Sequence, residues 1–202
     1  MVGGAASVSA TTTVERTALK EWAVLCDAMA RGDIIAMVRK GGIREQRAGF
    51  AVRHDRFLLY PTFFHERERE LAPRFRDALA ISHAAQPPKG VVRVSLVADV
   101  AAVWHVGDLD SLRAIEPEHG LTWEAVESRF NYRGVPGVQV VATRVSMLRT
   151  VTDLPEARRY AGCVSWVELD EDVDISAARP VVDTASFERR LAQMRAALGE
   201  SA

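Results

Sequence analysis

Two long apolar segments constrain the fold of this chain most strongly. In Val91–Val106, apolar residues alternate and then bunch, which predicts a long strand with a bend or bulge near Asp99. A second strong strand is predicted over Val138–Leu148, after the turn residues of Gly134–Gly137. Shorter strands are predicted at residues 34–38, 57–60 and 163–169, the second of them ending at Pro61.

Helical patterns lie between these strands in no regular order. Apolar residues at three- and four-residue steps predict an amphipathic helix over 15–30, ended by Gly32. Further helices are predicted over 63–81 (charged and interrupted), 108–115, 122–130 and 184–198. Because strands and helices do not alternate, we expect an α+β fold, with a mostly antiparallel curled sheet or a small β-barrel and flanking helices.

Composition indicates one soluble domain. The 202 residues are 48% apolar, enough for a sizeable core, and we expect a disordered tail over 1–14 and a single α+β domain over 15–198. The cysteines, Cys26 and Cys163, have no metal-binding spacing, and no signal peptide or membrane span is evident. The prediction is therefore a cytoplasmic protein without a metal, a cofactor or a membrane partner.

Net charge does not indicate a partner, because 26 basic residues face 27 acidic ones. A local basic patch is still compatible with this balance. The acidic segment 168–174 is interpreted as a solvated turn and not as a metal cage, since no glycine marks a tight calcium loop there.

Lysine is scarce and therefore informative: arginine dominates, and the chain has only Lys20, Lys40 and Lys89. Lys89 lies in a proline-rich linker, whereas Lys40 lies in the sequence Arg39-Lys40-Gly41-Gly42 directly after a predicted strand. Glycines allow close backbone approach, so this segment predicts an anion-binding turn. The alternative is a tight turn with two exposed basic residues.

Two further groups of residues are candidates for a site. Tyr60 and His65 lie at a predicted strand end and the following helix start, where a base could stack or a proton could move. Arg129 and Tyr132 lie at a predicted helix end and suit a base with its phosphate. The alternative for Tyr60 and His65 is core packing with a satisfied histidine. The alternative for Arg129 and Tyr132 is a capped helix end with Phe130 and Tyr132 in the core.

Four separated motifs resemble the bacterial family known as domain of unknown function 1802. They are residues 18–23, 39–45, 57–62 with His65, and 160–166. The family has no established activity. The resemblance implies a link to restriction–modification or defence, because some members are fused to a nuclease-type domain. It also suggests that Glu21 braces Lys40 or Arg39.

The order of elements is similar to that of PUA, ASCH and EVE barrels, which commonly bind RNA or modified bases. This resemblance implies a PUA-like fold by analogy only.

The leading hypothesis is a binding module for nucleic acid or a nucleotide. Its expected site residues are Arg39, Lys40, Gly41, Gly42, Tyr60, His65, Arg129 and Tyr132, with Glu21 behind them. The alternative is a small hydrolase acting on a phosphorylated or nucleotide-like substrate with His65 and Lys40, although binding without catalysis is favoured. A third reading is a protein-interaction component of a defence system. The oligomeric state is not predicted.

Overall fold

The computed structural model describes residues 13–40, 52–64, 66–162 and 164–200. Its strands are β1 (Val14–Trp22), β2 (Ala36–Arg39), β3 (Arg56–Thr62), β4 (Val91–Val106), β5 (Val138–Pro155), β6 (Trp166–Asp174) and β7 (Arg179–Pro180). Its α-helices are α1 (Ala23–Ala30), α2 (Arg76–Ala84), α3 (Trp123–Phe130) and α4 (Thr184–Leu198). Residues 1–12, the segment 41–51, and His65 and Cys163 lie outside the described residues.

The described strands form one seven-stranded sheet in the order β2-β5-β4-β3-β1-β6, with β7 beside β5. Every pairing of these strands is antiparallel except the one between β1 and β3. The sheet is not closed, since its described path ends at β2 and β6. The α+β class with a mostly antiparallel sheet is therefore confirmed, and a closed barrel is not formed by these strands.

The antiparallel pairing of the long strands β4 and β5 is the most extensive in the sheet. Its register runs from Val91 opposite Pro155 to Val106 opposite Val138. A register shift lies between Val100 and Ala102, beside Asp99, where the sequence predicts a bulge. The extra residue on β4 is Ala101, and such a bulge bends the strand locally.

The helix predicted over 15–30 is wrong in its first half, which is β1. Ala18 and Leu19 are both fully buried although they point to opposite faces of the sheet. Leu19 packs into the larger hydrophobic cluster and Ala18 into the smaller one on the other face. Because both faces are covered, the strand carries no alternating pattern, and the sequence spacing imitates a helix.

Three other predictions are corrected. The helix expected from residue 63 begins only at Arg76, after two 3-10 turns, the second opening at Pro73. The acidic segment expected as a turn belongs to β6, where it pairs with β1. Strand β3 continues through Pro61 to Thr62, although the sequence predicts that it ends at Pro61. Strand β4 pairs only with Arg56–Leu58, so no hydrogen bond to β4 is lost because the proline has no N–H.

Helix α4 packs its apolar face on the larger cluster. Phe187, Leu191 and Met194 are buried there, as the sequence predicts. Asp183 caps the N-terminus of this helix, because its carboxylate accepts the Ser186 N–H at 2.9 Å. Within the described ranges, no helix is long and apolar enough to cross a membrane.

Replacing Phe187 tests this packing. Phe187→Ala should lower the free energy of unfolding by about 3–5 kcal/mol, because it removes a fully buried ring and leaves a cavity. Urea unfolding measures the change. Gln193→Ala, on the exposed face of the same helix, should change stability by less than about 0.5 kcal/mol. Equal effects would contradict the packing.

A buried histidine makes stability depend on pH. The Nδ1 atom of His119 accepts the Leu121 N–H at 3.2 Å, so Nε2 carries the ring proton, and Nε2 has no partner among the described residues. Burial, reinforced by the positive charges of Arg129 and Arg74, lowers the pKa of His119 to about 4. The folded protein therefore keeps this ring neutral.

Acid should destabilise the fold through this ring. The folded pKa is about 4 and the ordinary value is 6.5, so the stabilisation is complete above pH 6.5 and is lost as the pH falls towards 4. We expect a loss of about 3 kcal/mol over that range, measured by urea unfolding at several pH values. In His119→Asn, whose amide oxygen can still accept the Leu121 N–H, this component should vanish. An unchanged pH slope would contradict the assignment.

Candidate functional site

One cavity of about 1110 Å³ lies where the carboxyl ends of β1, β2 and β3 meet the start of α1 and the end of α3. The end of α2 and the segment after it, the residues that follow β3, and residues 156, 162, 164 and 165 also line it. Six residues singled out by the sequence line it: Glu21, Arg39, Lys40, Tyr60, Arg129 and Tyr132. The other three, Gly41, Gly42 and His65, lie outside the described residues.

Positive charge predominates on the described lining. All three lysines of the chain lie there, including Lys89, which the sequence suggests is only part of a solvated linker. Six basic side chains face three carboxylates: Lys20, Arg39, Lys40, Lys89, Arg93 and Arg129 against Glu21, Asp27 and Glu156. Such a wall favours an anionic ligand. Among the described residues, no group of three or more His, Cys, Asp or Glu side chains is placed to hold a metal ion.

Glu21 fixes Arg39 at the cavity wall. One guanidinium nitrogen of Arg39, Nη1, donates to Glu21 Oε2 at 3.0 Å and to the Lys20 carbonyl at 3.1 Å. The other carboxylate oxygen of Glu21 accepts the Trp22 N–H at 2.8 Å. Both side chains are largely buried, with exposed fractions of 10% and 16%, so the pair is shielded from solvent. This is the bracing contact with Arg39 suggested for Glu21.

Lys40 holds the chain segment that carries Tyr132. Its ammonium donates to the carbonyl oxygens of Phe130, Val135 and Gly137, the first at 3.0 Å. Three converging carbonyls suit the compact ammonium of lysine better than the planar guanidinium of arginine. Burial lowers the pKa of Lys40. Lys40 therefore acts on the cavity through its charge and by positioning the 131–137 segment.

Lys20 and Tyr60 form a second wall. The Lys20 ammonium donates to the carbonyls of Tyr160 and Gly162 and lies 5.5 Å from the centre of the Tyr60 ring. The Tyr60 hydroxyl donates to Glu156 at 3.1 Å. Burial and the Glu156 charge raise the pKa of Tyr60 well above its ordinary value, so its hydroxyl stays protonated and neutral.

Arg129 connects the charged and aromatic parts of the lining. Its guanidinium lies 5.3 Å from the centre of the Trp22 ring and 3.8 Å from Glu70. Burial lowers its pKa, and the carboxylate of Glu21 opposes that effect. Tyr132, by contrast, is 44% exposed at the cavity edge, with Arg133 against its ring.

The sequence analysis missed a histidine of the lining. His83 on α2 is partly exposed in the cavity, and its Nε2 lies 2.5 Å from Glu66 Oε2. The Glu66 side chain is fully buried and also accepts the Val24 N–H at 3.1 Å. A pairing of Glu66 with His65 is disfavoured by their positions as chain neighbours, but no local pattern indicates a partner 17 residues away.

Removing the Lys40 ammonium should loosen the 131–137 segment. Lys40→Met should lower the free energy of unfolding by about 1–3 kcal/mol, because three carbonyls, in two partly buried contacts and one exposed one, lose their common donor. Lys40→Arg should keep only part of the stability that Lys40→Met loses, since the planar guanidinium does not match the three carbonyls. Urea unfolding measures both. Lys89→Met, at an exposed residue of the same cavity, is the control, and an equal loss there would contradict this role.

The family described as "Domain of unknown function (DUF1802)" matches residues 18–193 of the chain. No curated protein matches it by sequence. Two solved structures are similar at 13% identity, both of an ASCH protein from Zymomonas mobilis. The first covers 87% of this chain and 92% of that chain, with a TM-score of 0.42. The second, a serine-to-alanine mutant, covers 79% and 92%, with a TM-score of 0.43.

Proposed function

The chain belongs to the DUF1802 family, and we propose that it is a binding module for nucleic acid or a nucleotide. One observation carries the proposal: basic and aromatic side chains from separate parts of the chain line a single cavity. The proposal places the protein in the cytoplasm, where such ligands occur. A role beside restriction–modification systems rests on the family resemblance alone.

The charges of the cavity support a phosphate-bearing ligand. Arg39 at the end of β2, Lys40 directly after it and Arg129 of α3 line the same cavity although like charges repel. Glu21 pairs with Arg39 and offsets only part of this charge, because the described lining has six basic groups against three carboxylates, Glu21 included. An anionic ligand would relieve the repulsion, and phosphate groups supply such charge.

The aromatic lining supports a ligand that also carries a base. Tyr132 and Phe64 line the cavity with exposed rings, and Phe64 is 75% exposed. Bases stack on exposed aromatic rings with little dependence on sequence. The cavity volume of about 1110 Å³ slightly exceeds the range typical of small-molecule sites, about 300–1,000 Å³. There is room for a nucleotide and part of its neighbour.

Binding is favoured over the other sequence hypotheses for two reasons. The ammonium groups of Lys20 and Lys40 are committed to backbone carbonyls, which suits a fixed electrostatic wall. The six described site residues share one cavity, whereas a protein-interaction component would have them scattered over its surface. The hydrolase hypothesis with His65 stays a prediction, because His65 lies outside the described residues.

Fluorescence anisotropy with labelled single- and double-stranded RNA and DNA tests the proposal, with unlabelled mononucleotides as competitors. The logarithm of the affinity should fall linearly with the logarithm of the salt concentration. Lys89→Ala should reduce that slope by about 1 if it meets a phosphate. Tyr132→Ala should weaken binding by about tenfold through lost stacking. Displacement by a mononucleotide would identify the smaller ligand.

The control removes the same charge elsewhere. Arg149 is exposed on β5 and is not part of the cavity lining, so Arg149→Ala should leave the affinity and the salt slope unchanged. The proposal fails if no nucleic acid or nucleotide binds at low salt. It also fails if Arg149→Ala weakens binding as much as Lys89→Ala, since the charge would then act from anywhere on the surface.

A further inference from the structure

We propose that His83 contacts the ligand and that its protonation sets the affinity of the cavity for phosphate-bearing ligands. This inference rests on the proposed function and adds proton-linked regulation of the same site. Its basis is the pair formed by His83 and Glu66. Along the chain, Glu66 precedes the two 3-10 turns before α2, and His83 follows them within α2.

Glu66 orients the imidazole from below the cavity surface. Its carboxylate has no exposed area, and one oxygen accepts the Val24 N–H in the first turn of α1. The other oxygen lies 2.5 Å from His83 Nε2. The Phe63 ring contacts the imidazole edge-on, with 6.0 Å between the centroids. These contacts fix which nitrogen faces the protein.

The pairing determines what a ligand meets at the other nitrogen. A carboxylate accepts hydrogen bonds, so Nε2 must carry the proton that it shares with Glu66. In the neutral imidazole, Nδ1 is then an acceptor and repels the oxygens of a phosphate. In the imidazolium, Nδ1 gains a hydrogen and a positive charge, and it becomes a donor for the same oxygens. Protonation thus converts His83 from an opposing group into a binding group.

Charged groups from two other parts of the chain line the same cavity as His83. Asp27 belongs to α1 and Lys89 to the segment after α2, and Glu66 lies behind the ring. Cys26 on α1 is buried, which raises its pKa well above the ordinary value and keeps the thiol neutral. Histidine is the side chain whose charge ordinarily changes between about pH 5 and 8, so a comparison across that range tests the role of His83.

The experiment measures the affinity for a labelled oligouridylate of about 12 nucleotides without terminal phosphates, at pH 5.5 and pH 8 and constant ionic strength. Phosphodiesters and uracil do not titrate between these values, so the charge of the probe is constant, and the dye must be pH-insensitive. We expect binding about tenfold tighter at pH 5.5. In His83→Gln, the affinity should be the same at both pH values.

Two further variants separate His83 from other histidines. His54 is exposed against Trp166 and is not part of the described lining, and His65 is the histidine nearest along the chain to Glu66. His54→Ala is the control and should keep the tenfold ratio, whereas His65→Ala tests the rival histidine predicted at the site and should keep the ratio if His83 is the proton-linked group. Circular dichroism at each pH confirms that every variant compared is folded.

The outcomes distinguish this inference from the function on which it rests. If wild type binds equally at both pH values, or if His83→Gln keeps the ratio, the inference is overturned while the binding function stands. If His65→Ala abolishes the ratio and His83→Gln does not, the proton-linked group is His65 and the inference is again overturned. If wild type binds the probe at neither pH and no nucleic acid or nucleotide binds at low salt, the proposed function itself fails.

Discussion

Strand β1, which lies between β3 and the edge strand β6, is the element on which the rest of the structure depends. It pairs in parallel with β3 and antiparallel with β6, and its buried residues Ala18 and Leu19 reach opposite cores. Parallel pairing makes the carboxyl ends of β1 and β3 coincide, with Lys20 opposite Tyr60 in the register. The cavity opens at that shared end, so burial of one strand on both faces positions the site.

Several like charges lie close together at the cavity because other groups of the protein hold them in place. Backbone carbonyls receive the ammonium groups of Lys20 and Lys40, and Glu21 receives the guanidinium of Arg39. Each cation is thus positioned before any ligand arrives. Preorganised charge loses little free energy to reorganisation on binding, which is the physical reason that such a wall suits anion recognition. Arg129 against Trp22 extends the wall towards the aromatic rim.

The parts of the fold that the sequence predicted have one thing in common: their pattern is set locally. Val138–Leu148 lies within β5, and the α3 cap at Thr122 and the buried face of α4 follow turn, capping and periodicity rules. The prediction for residues 14–22 was wrong because a strand that is covered on both faces lacks the alternation by which strands are recognised in a sequence. The prediction of a turn for the acidic part of β6 was wrong because pairing with β1 outweighs the local preference of these residues for a turn.

The same division holds for the site. The sequence by itself determined the fold class, and it indicated five of the basic and aromatic residues of the cavity, Arg39, Lys40, Tyr60, Arg129 and Tyr132, because their chemistry and their place at element ends are local properties. Only the tertiary structure decided that Lys89 belongs to the lining, that Lys40 binds backbone carbonyls, and that Glu66 pairs with His83. These facts depend on contacts between residues distant along the chain, which a side chain's neighbours in sequence do not encode.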